Sequence, residues 1–100
     1  MIPLDTEAVV REACRYYGIC EDDLSRGRGN ADHRKKIIGA RTTAAYLIWF
    51  RNGEPQRVIA ERVGWMSHRS VVDAIRVVKA GNGYAEPLAT IERRARGGDG

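Results

Sequence analysis

One predicted helix of this chain has a polar face whose side chains suit hydrogen bonding to phosphates and to base edges. That face carries His68, Arg69, Asp73, Arg76 and Lys79. The opposite face has apolar residues at three- and four-residue steps, which predicts a buried stripe of Val71, Ala74, Ile75 and Val78. An exposed helix with this many donors contacts nucleic acid without making or breaking bonds. The chemistry indicated is therefore DNA recognition.

A predicted helix-turn-helix over residues 55–79 positions this polar face. Pro55 suits the first position of a helix, because its missing N–H is not needed there. Gly64 can take the positive φ that a sharp turn demands, and Ser67 suits the N-cap of the second helix. A capped second helix of this kind can enter a DNA major groove. The alternative is an αα-hairpin within a helical bundle.

Charge is distributed unevenly along the 100 residues of the chain. Residues 1–24 carry two basic and six acidic side chains, a net charge of −4, whereas residues 25–80 carry twelve basic and four acidic, a net charge of +8. Clustered lysines and arginines attract phosphate backbones whatever the base sequence. Charge alone does not distinguish DNA from RNA or from an acidic protein.

The residues that could support catalysis or bind a metal form no recognisable pattern. The two histidines and two cysteines make no triad or dyad, and Cys14 and Cys20 do not have a zinc-ligand spacing. Residues 21–23 are acidic, but they offer no loop of alternating oxygen ligands, so a solvated helix start is expected instead of a metal site. No Walker motif is present. We therefore expect no enzymatic activity, cofactor, metal or bound nucleotide.

The compartment expected is the cytoplasm. No apolar run approaches the roughly 20 residues of a membrane span, and the first residues lack the basic and apolar regions of a secretory signal. Cys14 aligns with the apolar stripe of the first predicted helix and is expected to be a small core residue. A disulfide to Cys20 is not expected in a reducing compartment.

Four further helices are predicted, over residues 4–17, 19–24, 33–51 and 86–96. Asp5 or Thr6 can cap the first helix, Gly18 can end it, and Asn30 or Asp32 can cap the longest. The longest helix has a predicted core stripe of Ile37, Ala40, Ala44, Leu47 and Ile48. The chain has no strand signal. It is expected to fold as one all-α domain of five to six helices over residues 1–96, with a flexible tail over 97–100.

Two segments outside the helix-turn-helix raise alternatives for binding. Arg26 and Arg28 lie in a glycine-rich connector over residues 25–30, which is interpreted either as an arginine arm for a narrow minor groove or as a solvated basic loop. Basic residues 34–36 oppose the helix dipole at the start of the longest helix, a placement that suits a nearby phosphate. Three aromatic residues end that helix and are expected to be core residues, not platforms for bases: Tyr46, Trp49 and Phe50.

Over residues 19–79 the chain resembles the C-terminal DNA-binding domain of the bacterial replication initiator DnaA, a Trp-repressor-like helical fold. Ala40-Arg41-x-x-Ala44-x-Tyr46-Leu47 is similar to the family's Ala-Arg-x-x-Ala-x-Tyr-Leu helix. Ile59-x-x-x-Val63-Gly64 stands where the family has Ile-Gly-x-x-Phe-Gly. Ser67-His68-Arg69-Ser70-Val71-Val72-Asp73-Ala74 resembles the signature Asp-His-Thr-Thr-Val-Leu-His-Ala.

This resemblance implies roles for individual residues. The base edges of the major groove would be contacted by Ser67, His68, Arg69 and Ser70. Gln56 and Arg57, at the start of the preceding helix, would lie against phosphates, and Arg26 or Arg28 would enter the minor groove. Further candidates for phosphate contacts are Arg76, Lys35 and Arg41.

Departures from the family pattern imply a different DNA site. Residues 65–68 read Trp-Met-Ser-His where the family has Gly-Arg-Asp-His. Arg69 replaces a threonine and can bond guanine O6 and N7 together, while Asp73 replaces a histidine and can accept from cytosine N4. We therefore expect a target other than the DnaA box.

The leading interpretation is a sequence-specific double-stranded DNA-binding protein that acts in transcription or replication control, associated with the nucleoid. Because the chain has no ATPase module, it is expected to be a regulator, of bacterial, phage or mobile-element origin, and not an initiator. The alternatives are a protein-interaction module that reuses the helix-turn-helix fold, and a small enzyme. It could act as a monomer or dimerise through its first or last helix.

Overall fold

Six α-helices contain most of the residues that the structure describes. The computed structural model describes residues 4–26, 30–65, 67–81 and 83–97. The helices are α1 (Thr6–Tyr17), α2 (Glu21–Arg26), α3 (Ala31–Leu47), α4 (Gln56–Val63), α5 (His68–Lys79) and α6 (Ala85–Ala95). A π-helical turn, Ile48–Asn52, continues α3. The described residues contain no strand, and the prediction of a small all-α fold is confirmed.

None of the described helices combines the length and the apolar character needed to cross a membrane. The predicted tail falls mostly on residues 98–100, which lie outside the described part of the chain, as does Arg28 in the predicted basic connector. The side chain of Arg26 also lies outside it.

Residues directly beside the helices determine both ends of α1 and the start of α3. Asp5 caps α1, since its carboxylate accepts a 3.0 Å hydrogen bond from the Glu7 N–H, and Gly18 ends the helix with φ 73°. Asn30 caps α3 in the same way, through a 2.8 Å hydrogen bond from the His33 N–H. Each cap is one of the two candidates that the sequence offered. The longest helix begins at residue 31, two residues before the predicted start, because Asn30 is the residue that caps it.

The second helix is shifted by two residues from the predicted segment 19–24. It covers Glu21–Arg26, so two residues assigned to the flexible connector are helical, while Ile19 and Cys20 are not. Asp23 accepts a hydrogen bond from the backbone N–H of Cys20 and lies 3.5 Å from the ring of His33 in α3. The Cys20 contact holds the chain at the start of α2, which places that start at Glu21.

The central helix of the fold is α3, which packs against each of the other five helices. Its predicted core stripe is confirmed, because all five residues are buried: Ile37, Ala40, Ala44, Leu47 and Ile48. Gly39 lets α1 approach closely, since a Cβ atom there would lie only 2.5 Å from the Tyr17 ring. Cys14 of α1 is buried with a free thiol, as predicted for a small core residue.

The π-helical turn connects three parts of the molecule. Asn52 accepts from the Leu4 N–H and donates to the Leu4 carbonyl, both at 2.8 Å, so the residue before α1 is held against the end of α3. Arg51 forms a 2.9 Å ion pair with Glu92 of α6. Gly53 ends the turn with φ 66°. The segment that leads into α4 is therefore fixed by α1 and α6.

The prediction that the aromatic residues at this end are core residues is wrong for Phe50. Its side chain is 54% exposed, while Tyr46 and Trp49 are partly buried. A π-helical turn holds more residues than an α-helical one, so the residues that follow Leu47 are rotated away from the positions that a regular helix would give them.

Candidate nucleic-acid interface

The first helix of the predicted pair, α4, is anchored by buried apolar residues. Ile59 and Val63 are fully buried against the core, and Gly64 ends the helix with φ 82°, as the turn requires. Pro55 is the N-cap and not the first helical residue, a shift of one position from the prediction. Gln56 is partly buried and Arg57 is exposed, so α4 begins with a charged side chain in solvent.

The second helix of the predicted pair, α5, is amphipathic, with the apolar face turned inward as predicted. Val71, Ala74 and Ile75 are buried, and Val78 is partly buried. The predicted polar face is solvent-exposed at all five positions: His68, Arg69, Asp73, Arg76 and Lys79. Ser67 is also exposed and Ser70 is half-buried. All the residues proposed for base contacts therefore lie within two turns at the N-terminal end of α5.

Ser67 occupies the N-cap position without capping the helix. Its backbone is extended, with φ −143° and ψ 154°, but its side chain accepts no hydrogen bond from the first turn. The prediction of a hydroxyl cap is wrong in this respect. As a result, no side chain of the described residues accepts a hydrogen bond from the backbone N–H groups at the start of α5. Free N–H groups at a helix N-terminus are a favourable environment for an anion.

A second feature, the absence of an acidic residue from the first turn, is shared by α4 and α5 and distinguishes them from the other described helices. The first turns of α1, α2, α3 and α6 contain at least one acidic residue. The first turns of α4 and α5 contain none, and neither helix has a side-chain cap. The positive ends of these two helix dipoles are therefore not compensated by a carboxylate of their own first turn.

Several exposed cations form no ion pair with an acidic residue of the described part of the chain. These are Arg57 and Arg69 in the first turns of α4 and α5, Arg76 in the last turn of α5, and three basic residues near the start of α3: Arg34, Lys35 and Lys36. Other arginines are engaged in the fold. Arg62 pairs with Glu54 at 3.2 Å, and Glu92 holds both Arg51 and Arg96 at 2.9 Å.

Arg41 is placed differently from the other predicted phosphate contacts. Its guanidinium donates a hydrogen bond to the Leu24 carbonyl at the end of α2, and its Nε is buried without a partner among the described residues. Burial lowers the pKa of this guanidinium from its ordinary value. A phosphate contact by Arg41 stays a prediction, and it would have to share the side chain with the contact that holds α2 on α3.

Sequence reasoning missed the residues that fix the start of α4. Glu54 accepts a 2.6 Å hydrogen bond from the Thr6 hydroxyl and pairs with Arg62, so it joins α1 to both ends of α4. Asn52 adds its contacts to Leu4. The partners at α1 lie 48 residues away in the sequence, and no local pattern indicates them.

The part of the chain that the structure describes contains no cluster of His, Cys, Asp and Glu that could hold a metal ion. Comparisons with protein-family models, with curated proteins and with solved structures found no match to this chain.

Proposed function

We propose that this chain is a sequence-specific double-stranded DNA-binding protein of transcription or replication control, related to the DnaA DNA-binding domain. The observation that carries the proposal is that α4 and α5 begin without acidic residues or side-chain caps, next to exposed cations that form no ion pair in the described residues. Cations and helix N-termini that are not neutralised within the fold can attract a polyanion.

The proposed contacts to phosphates come from residues of α3, α4 and α5. Gln56 and Arg57 lie in the first turn of α4, and Arg76 lies on the exposed face of α5 in its last turn. Lys35 is exposed near the start of α3. Contacts of this kind set the position of a protein on a duplex but carry no sequence information.

The proposed contacts to bases come from the first two turns of α5. This helix has 12 residues and is about 18 Å long, a size that a major groove accepts. In the proposed arrangement Ser67, His68, Arg69, Ser70 and Asp73 face the base edges. Arg69 would read guanine and Asp73 would read cytosine, which gives a site different from the DnaA box. A minor-groove contact by Arg26 or Arg28 is part of the same proposal.

The experiment that tests the proposal is selection of binding sites from a random duplex pool with the purified protein. An enriched motif is expected, and its symmetry would distinguish a monomer from a dimer. Binding without an enriched motif would contradict sequence specificity, and absence of binding at low salt would contradict the whole proposal.

Two substitutions then separate the proposed roles. Arg69→Ala is expected to cost about 1–3 kcal/mol on the selected site and to relax base preference at one position. Arg57→Ala is expected to weaken all duplexes alike and to lower the salt slope by about 1. Arg93→Ala is the control, because Arg93 is exposed on α6 and also has no ion pair in the described residues. Equal effects of the first two changes on every sequence would refute the assignment of α5 to base contacts.

A further inference from the structure

A group of aromatic rings lies partly exposed at the C-terminal end of α3. The Phe50 ring is stacked on Tyr46, with centroids 5.6 Å apart and planes 12° from parallel. Trp49 is tilted against both rings, with centroids at 5.9 Å from Tyr46 and 6.4 Å from Phe50. Phe50 is one of the few large apolar side chains that the fold leaves more than half exposed. The fold itself does not bury this ring, so its apolar surface is available to a partner.

A cleft adjoins the aromatic rings. It has a volume of about 310 Å³ and is lined between the ends of α3 and α5 and the start of α6 by Tyr46, Val78, Tyr84 and Leu88, among others. Tyr46 belongs to both features, since it lines the cleft and stacks on Phe50. We call the combined feature the aromatic surface, defined by Tyr46, Trp49, Phe50, Lys79 and the cleft. It offers both a recess and an exposed apolar edge.

The charge on the aromatic surface is positive. The Lys79 ammonium lies 4.8 Å from the centroid of Trp49, and it forms no ion pair within the described residues. The guanidinium of Arg51 lies 4.8 Å from the centroid of Phe50, while the nearby carboxylate of Glu92 is held by Arg51 and Arg96. A partner that covers the rings would bring its own groups close to these cations, so acidic side chains would be favoured.

The arrangement of the rings favours a peptide over a nucleobase. A base needs an open ring face on which to stack. Phe50 has Tyr46 stacked on it and Arg51 lying over it, and Trp49 has Lys79 lying over it. The rings therefore present edges more than free faces. Edges and a recess suit aliphatic or aromatic side chains of a protein.

The aromatic surface is separated from the proposed base-reading residues. Lys79 is the last residue of α5, about 9 Å along the helix axis from Asp73, the nearest proposed base-reading residue, and about 18 Å from Ser67. Arg76, a proposed phosphate contact, lies in the same last turn as Lys79. A partner on the aromatic surface therefore leaves the first turn of α5 accessible. The inference does not depend on DNA binding, because it rests on α3, α6 and the end of α5.

We propose that the aromatic surface docks a segment of a partner protein that combines acidic residues with a large apolar side chain. The apolar side chain occupies the cleft beside Tyr46 and contacts the edge of Phe50, and the acidic residues lie near Lys79. Large buried anchors with charged neighbours are the usual composition of a peptide-binding site.

The test is selection of short random peptides displayed on phage, using the full chain as the target. Peptides with acidic residues around a large apolar residue are expected. Phe50→Ser should weaken a selected peptide about tenfold or more, and Lys79→Gln should weaken it less and reduce its salt dependence. Ile38→Ser is the matched control, because Ile38 is 55% exposed on the same helix and lies outside the aromatic surface. It should leave peptide affinity unchanged.

Several results would overturn the proposal. These are the absence of enriched peptides, enriched peptides without acidic residues, and peptides that bind the Phe50→Ser variant as well as the natural chain. Competition by oligothymidylate would assign the surface to single-stranded nucleic acid instead. Sedimentation that showed self-association abolished by Phe50→Ser would assign it to a second copy of this chain. Lys79→Gln keeps the test decisive if the serine variant folds poorly, since Lys79 is exposed.

Discussion

The helix pair α1 and α3 and the helix pair α4 and α5 begin in opposite ways. Both helices of the first pair have a side-chain cap, from Asp5 and Asn30, and an acidic residue in the first turn. Neither helix of the second pair has either feature. Caps and first-turn acids each stabilise a helix, typically by about 0.5–2 and 0.3–1 kcal/mol. The second pair lacks that stabilisation at two helix starts that expose Arg57 and Arg69, neither of which forms an ion pair with a described residue.

The two helix pairs also differ in how they pack. The first pair is in close contact at Gly39 and Tyr17, where no extra atom fits. The second pair is held by apolar side chains such as Ile59, Val63 and Val71, with its polar residues directed to solvent. The polar groups that α4 and α5 expose are the ones that the proposed DNA interface would use.

The largest expected effect comes from placing an acid at the open start of α5. His68→Asp places a carboxylate on the first residue of α5 and should lower affinity for duplex DNA by about 1–3 kcal/mol, because the carboxylate would repel phosphate at the helix start. The same change should raise the free energy of unfolding by about 0.3–1 kcal/mol through the helix dipole. Fluorescence anisotropy and urea denaturation measure the two quantities.

Ala85→Asp is the matched control for this variant. It adds the same charge at the exposed start of α6, away from the proposed interface, and should leave DNA affinity nearly unchanged. If His68→Asp raised both the free energy of unfolding and the DNA affinity, or if both variants weakened DNA binding equally, the contrast between the helix pairs would not reflect DNA binding.

An intermediate effect is expected at the close contact of the first pair. Gly39→Ala places a Cβ atom 2.5 Å from the Tyr17 ring, and overpacking of this kind costs about 1–3 kcal/mol. Alanine also gains up to about 1 kcal/mol over glycine within a helix, so the net loss should be near 1 kcal/mol. DNA affinity should not change while the protein is folded.

A double-mutant cycle shows whether the close contact is the cause. In a Tyr17→Ala background the clash is absent, so Gly39→Ala should stabilise the protein. Urea denaturation of the four proteins gives the coupling energy. Destabilisation by Gly39→Ala in both backgrounds would mean that the ring contact does not explain the glycine.

A further effect of the first pair is confined to alkaline pH. Burial raises the pKa of the Cys14 thiol from 9.0 to about 11 and that of Tyr17 from 10.0 to about 12. Because both pKa values are higher in the folded state, the protonated groups contribute stability that is complete below pH 9.0 and is lost as pH rises toward 11 and 12.

Denaturation between neutral and alkaline pH measures this loss. Cys14→Ala should remove the part of the decline that begins near pH 9.0, and Tyr17→Phe the part that begins near pH 10.0. If both variants still lost as much free energy of unfolding as the natural chain when pH rises, other groups would be the cause.

Features that depend on near neighbours in the sequence could be predicted for this chain. Gly18, Gly53 and Gly64 end helical segments with positive φ, which glycine adopts readily because it has no Cβ atom. The buried and exposed faces of α5 followed from spacing alone, because a helix repeats every 3.6 residues. The sequence therefore indicated the candidate interface through the polar face of α5 and through the excess of basic residues in this part of the chain.

Features that depend on distant partners could not be predicted. Asn52 and Glu54 bind the start of α1, and only the folded chain brings those residues together. Arg41 lies in a basic region of the sequence, yet its guanidinium donates to the Leu24 carbonyl. Phe50 is aromatic and apolar, as core residues often are, but it lies within the π-helical turn, which directs it to solvent. Each case was decided by packing that no short window of sequence contains.

The most direct test of the proposed DNA interface is the change of amide NMR signals when a mixed-sequence duplex is added at low salt. The account predicts that the largest changes fall at the starts of α4 and α5, around Arg57 and Ser67 to Asp73, and that α6 and the capped start of α1 change little. Largest changes on α1, α6 or the aromatic surface, or no changes at all, would contradict it.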